Sequence, residues 1–105
     1  MSLRSGRLEK RVPLAVPVQV SSFKDSAAAE QTISENVCSL GMRILARQTK
    51  ELNERLMISS LVGDVRALAR VVYCQRLPDG RFGVGVQFVG QSVRWSKDAL
   101  AGTSN

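Results

Sequence analysis

The sequence has no histidine and only two cysteines. The first absence removes every mechanism that needs an imidazole base, along with the commonest metal ligand. Cys38 and Cys74 lie far apart and show no metal-ligand spacing, which disfavours a zinc site. No carboxylate pair is placed by a motif, so no acid–base constellation can be assembled and an enzyme is not expected. Aromatic residues are 5% of the chain. No apolar run approaches the roughly 20 residues that span a bilayer. The basic N-terminus is not followed by the apolar stretch of a secretory signal, so a cytoplasmic protein is expected. In that compartment a Cys38–Cys74 disulfide is disfavoured.

What is present suits one soluble domain. The chain has 105 residues, 44% of them apolar and 23% charged. A domain of this size buries about two thirds of its unfolded surface, enough for one core without staples. Fifteen Lys and Arg against nine Asp and Glu leave a net charge of +6, which favours anionic partners. Much of that charge is concentrated: Arg4, Arg7, Lys10 and Arg11 are opposed in the N-terminal arm only by Glu9.

Period-two alternation predicts six short strands. The first covers 12–20, with Val12, Leu14, Val16, Val18 and Val20 on one face and Pro17 at an edge or bulge. The second covers 31–37, with Ile33, Glu35 and Val37 on one side. The third follows the turn Ser39-Leu40-Gly41 and covers 42–47. The fourth covers 56–60, and the fifth covers 65–73, with Val65, Ala67, Ala69, Val71 and Tyr73 together. The sixth covers 82–88, where Phe82, Val84, Val86 and Phe88 alternate with Gly83, Gly85 and Gln87. Pro78-Asp79-Gly80 is a turn with a mechanism, since proline fixes φ and glycine tolerates positive φ. The polar stretch 21–30 reads as a loop, with a helical turn possible at Ala27–Ala29; 49–55 reads as a loop or a single helical turn. Ser92 is an N-cap candidate for a short helix over 92–100. The result is an all-β, six-stranded antiparallel barrel or sandwich: a basic arm at 1–11, a barrel with terminal helix at 12–100, and a fraying tail at 101–105.

Two short patterns stand out. Arg7 and Arg11 are spaced to wrap a polyanion, because arginine binds phosphate bidentately and offers a fork to guanine; the bland alternative is a solvated basic arm. Asn36-Val37-Cys38-Ser39-Leu40-Gly41 describes a strand end feeding a tight turn, with the Asn36 and Cys38 side chains on one face. Asn36 offers a donor and an acceptor. Gly41 either adopts positive φ or lets a backbone approach closely. Here the bland alternative is a plain hairpin. Gly83 and Gly85 form no dinucleotide fingerprint and mark close packing instead. Trp95 is expected to cap the core and Cys74 to fill it. Arg66 and Arg70 share a strand face that reads as solvated or as an extension of the basic surface.

Taken in order, these patterns resemble the PilZ family, whose signatures are RxxxR before the first strand and [D/N]xSxxG at the second. Residues 7–11 match the first in full. Residues 36–41 match the second at Asn36 and Gly41, with Cys38 in the place of serine. Residues 83–88 resemble the family's closing strand. The resemblance implies a six-stranded antiparallel β-barrel with a terminal helix and cyclic di-GMP as ligand. It assigns Arg7 and Arg11 to phosphates and guanine edges, Asn36 to a guanine, Cys38 to the serine position and Gly41 to the turn. It also implies a downstream partner protein that the sequence does not identify. Two other readings compete. One is a barrel of the same fold whose ligand site has decayed, supported by Cys38. The other is a general nucleic-acid binder using the basic arm, against which stands an arm without aromatics.

Overall fold

The computed structural model describes residues 13–24 and 29–95. Six strands, β1 (Pro17–Ser22), β2 (Glu30–Cys38), β3 (Gly41–Ala46), β4 (Arg55–Ser60), β5 (Arg66–Arg76) and β6 (Phe82–Phe88), follow the predicted order. Every neighbouring pair is antiparallel, and the sheet closes as β1-β2-β3-β6-β5-β4. Alternation leaves a barrel or a sandwich open; the closed, all-β, six-stranded antiparallel barrel implied by the resemblance is the one observed. Closure pairs β1 with β4, so no strand edge remains among the described strands.

The core is the inward set of all six strands. Val18, Val20, Val37, Met42, Ile44, Leu56, Ile58, Ala67, Ala69, Val71, Val84 and Val86 are buried, with Phe88 closing one end. Pro17 faces no edge. It opens β1, the position at which a missing N–H costs the ladder least.

The predicted alternation fails at two places, both for the same reason. A β-bulge in β2 pairs Ser34 with Ile44 but Asn36 with Arg43, leaving Glu35 as the extra residue. Before the bulge Ser34 points inward and Ile33 is 43% exposed; after it Val37 points inward. Ile33, Glu35 and Val37 thus do not share a side. A second bulge in β5 pairs Val71 with Val86 but Tyr73 with Gly85. It turns Tyr73 away from the core face and sets Cys74 against the core, in line with the filling role expected for it.

No helix occurs among the described residues. Residues 92–95, where the terminal helix was expected to begin, run as an irregular strap. The Val93 N–H donates to the Ser39 carbonyl at 2.8 Å, and the Trp95 indole N–H to the Cys38 carbonyl at 2.8 Å. Trp95 also packs against the core, with its ring 6.3 Å from Phe88, which is the capping role read from the sequence. Residues 96–100 of that expected helix lie outside the described residues, as do the arm at 1–11, Ala27 and Ala28, and the tail. Residues 49–54 form a loop with Asn53 at φ 68°.

At the barrel end remote from the β2–β3 turn, Glu54 accepts from the Ser22 hydroxyl at 2.6 Å and from the Glu51 amide at 3.0 Å. Burial pushes the Glu54 carboxyl up. The Ser22 and Glu51 hydrogen bonds, with Lys50 and Lys24 nearby, outweigh it and leave the group below the ordinary carboxylate range. A depressed folded-state pKa means stability that is present above the unfolded value and is lost as pH falls through the folded one. Urea midpoints should therefore fall on acidification below about pH 4.5, and Glu54→Gln should flatten part of that decline.

Candidate functional site

One turn draws together most of the polar chemistry at the other end of the barrel. Cys38 pairs with Gly41, so Ser39 and Leu40 alone make the β2–β3 connection. Gly41 does not adopt positive φ. Its constraint is space: a Cβ there would lie 2.2 Å from the Val86 carbonyl oxygen. Close backbone approach, not a left-handed turn, is thus what this glycine provides.

The β2 bulge decides where the site residues point. In an unbroken strand Ser34, Asn36 and Cys38 would share a face. With Glu35 inserted, Ser34 stays inside at 1% exposure while Asn36 and Cys38 turn to the outer face, both half-buried. Ser34 then takes on a different task. Its hydroxyl donates to the Leu14 carbonyl at 2.6 Å and accepts the Val16 N–H at 2.9 Å. The Ser34 N–H in turn reaches the Val16 carbonyl at 3.0 Å. This clasp ties the root of the N-terminal arm to β2, two positions before Asn36. Nothing in the alternation pattern singled out Ser34, because its partners belong to another segment. Ser34→Ala strands the buried Val16 N–H and should lower unfolding free energy by about 1–3 kcal/mol in urea titrations.

Register carries the site across the outer face in two rows. Asn36 pairs with Arg43, Arg43 with Gly85, and Gly85 with Tyr73. Cys38 pairs with Gly41, Gly41 with Gln87, and Gln87 with Arg70. In the first row Arg43 is the organiser. Its Nε donates to Glu35 at 2.6 Å, and one terminal nitrogen donates to the Tyr73 hydroxyl and to Gln75, each at 3.1 Å. Its guanidinium also lies 5.6 Å from the Tyr73 ring centre, within cation–π range. The bond to Glu35, and then that to Tyr73, raise its pKa further above the ordinary arginine value. Gly83 and Gly85 are required by this arrangement: a Cβ at Gly85 would meet the Tyr73 ring at 2.2 Å, and one at Gly83 would meet Arg43. Two glycines within a strand were the sequence signal for such covering side chains. Arg43, Glu35 and Tyr73 themselves carried none.

In the second row Arg70 donates to Gln87 and to Asn53, each at 2.9 Å. The outer face therefore offers an amide at Asn36, a thiol at Cys38, an amide at Gln87 and a guanidinium at Arg70, around a turn formed by Ser39 and the exposed Leu40. That set suits hydrogen bonding to a planar, polar, anionic ligand, and no nucleophile is paired with a base in it. The described residues hold no group of His, Cys, Asp or Glu able to bind a metal, and no helix among them is long and apolar enough to cross a membrane. Both cysteines are free. Arg7 and Arg11 lie outside the described residues.

The sequence matches no known family profile. It also matches no curated protein. The fold is similar to the crystal structure of the PilZ domain of CeSA from a cellulose-synthesizing bacterium. The likeness has a TM-score of 0.59 at 17% identity, over 78% of this chain and 83% of that one. The chain thus has a PilZ-like barrel.

Proposed function

We propose that this PilZ-like barrel is a receptor domain for cyclic di-GMP, without catalytic activity, that changes its surface on binding and signals to a partner protein. The observation that carries the reading is the clasp at Ser34. It fixes the root of the arm bearing Arg7 and Arg11 beside the strand that presents Asn36 and Cys38 outward. The two sequence patterns resemble the PilZ signatures, and the position of Leu14 and Val16 beside Ser34 supports a ligand held between arm and turn. In this reading Arg7 and Arg11 take phosphates and guanine edges, Asn36 takes a guanine edge, and Gly41 holds the turn by letting β3 lie close against β6. Binding orders the arm against the barrel and so alters the surface a partner sees. The chain is cytoplasmic in this reading and needs no specific nucleic acid.

Cys38 favours a second reading, a barrel of this fold that serves as an interaction module and no longer binds the nucleotide. A thiol is a weak donor and acceptor where the family has a hydroxyl. One neutral hydrogen bond contributes about 0.5–1.5 kcal/mol, so its loss weakens affinity by up to about tenfold. Calorimetric titration with cyclic di-GMP separates the two. The receptor reading expects saturable heat at tens of micromolar ligand or below, and Cys38→Ser should tighten binding by up to about tenfold. Absence of heat in both proteins sinks the receptor reading and leaves the interaction module.

A further inference from the structure

The outer faces of β1, β4 and β5 carry no carboxylate. Their outward positions are Pro17, Gln19 and Ser21 on β1, Arg55, Met57 and Ser59 on β4, and, before the bulge in β5, Arg66, Leu68 and Arg70; beyond the bulge Tyr73 and Gln75 belong to the Arg43 cluster. Acidic side chains sit elsewhere. Glu35 is spent on Arg43 and Glu30 lies beside Arg47, both on the β2–β3 side. Glu54, next to Arg55 in sequence, turns its carboxylate to Ser22 and Glu51. Neither Arg55 nor Arg66 has an ion pair among the described residues.

This arrangement is costly as it stands. Arg55 is the direct cross-strand partner of Arg70, and like charges in that position repel. Among the described residues Arg70 is held by the neutral amides of Asn53 and Gln87, with no carboxylate beside it. Between the cations, Met57 pairs with Leu68 to make a half-buried apolar centre. An apolar centre with arginine and methionine around it is the composition of a protein interface core and rim. A closed barrel offers no edge for strand addition, so a partner must be recognised through side chains.

We infer that the β4–β5 face is the docking surface for an acidic protein segment carrying an apolar anchor, with the anchor on Met57 and Leu68 and its carboxylates on Arg55, Arg66 and Arg70. Arginine suits that role because its fork meets carboxylate bidentately. Single-stranded nucleic acid is the poorer fit, since the positions between the arginines, Met57 and Leu68, are aliphatic and the exposed Phe23 beside Arg55 is a lone aromatic at the margin, not a series on which successive bases stack. An anionic bilayer is a poorer fit still, because the apolar centre between the arginines is half-buried. The surface borders the candidate ligand turn: Arg70 is bonded to Gln87, the register partner of Gly41. It rests on the reading above only in assuming that the domain has a protein partner.

The test is an NMR titration of the isotope-labelled full chain without nucleotide, so that failure of cyclic di-GMP to bind leaves the result intact. Three probes are used: a synthetic peptide of aspartates and glutamates around one leucine, an oligothymidylate, and phosphatidylglycerol vesicles. The peptide should shift β4 and β5 amides saturably with a Kd tighter than about 1 mM. The double variant Arg55→Gln/Arg66→Gln should weaken it about threefold to tenfold. Both substitutions are at exposed positions whose side chains make no hydrogen bond among the described residues. Unmoved β4 and β5 amides, equal affinity in the double variant, or tighter binding of the oligonucleotide or vesicles at these strands would each overturn the inference.

Discussion

Replacing Gly41 by alanine should lower the unfolding free energy by about 2–3 kcal/mol, the largest loss expected for any single-carbon change at the turn. The added Cβ would lie 2.2 Å from the Val86 carbonyl oxygen and 3.2 Å from the Gln87 Cα. Both obstacles are backbone, so no side chain can swing aside; β3 and β6 must part locally. The pair they form there, Gly41 with Gln87, is also the middle of the row that runs from Cys38 to Arg70. Affinity for cyclic di-GMP should therefore fall along with stability, even at temperatures where the variant remains folded. Gly80→Ala is the informative contrast. That site has open space around it but φ of +91°, so the cost is backbone strain alone, about 1 kcal/mol, with no effect on ligand. Urea unfolding of the two variants checks the ranking, and an equal or smaller loss for Gly41→Ala refutes the packing account.

Arg11→Ala should weaken cyclic di-GMP binding by about 100-fold or more while leaving the unfolding midpoint unchanged. The size follows from losing a bidentate, charge-assisted contact, worth about 1.5–3 kcal/mol for each of its two hydrogen bonds. Reach is sufficient. Arg11 precedes Leu14 by three residues, a span of at most about 10 Å, and Leu14 is bonded to Ser34. Asn36 lies about 7 Å further along the same strand. Lysine at position 11 should recover only part of the loss, because an ammonium cannot form the fork. Calorimetry decides: binding that is indifferent to Arg11→Ala removes the arm from the site.

The strand order was legible because inward and outward positions alternate wherever a strand is uninterrupted. Residues 82–88 illustrate this, since the predicted and observed limits of β6 coincide. Alternation could not reveal the bulges at Glu35 and Val72, because an inserted residue shifts parity without changing composition. The face of Ile33 and of Tyr73 was misassigned for that reason alone. Ser34 was invisible for another: a buried serine makes sense only once Leu14 and Val16 are beside it. The tail past Gly90 has an N-cap and apolar spacing that suit a helix. Yet Val93 and Trp95 bond to carbonyls of the β2–β3 turn, a long-range choice that local pattern does not encode. At Gly41 the residue type was legible, and the reason for it required seeing β6 behind it.

The Trp95 bond to the Cys38 carbonyl has an optical consequence. The chain contains one tryptophan, so its emission has a single source. That source is half-buried and hydrogen-bonded to the backbone of the residue where the serine of the signature is replaced. Indole emission shifts with local polarity and with the state of its N–H bond. Any displacement of the turn, by a ligand on its outer side or by a substitution in β3, acts on that bond. The protein thus carries an intrinsic, label-free gauge of the turn, readable as a wavelength.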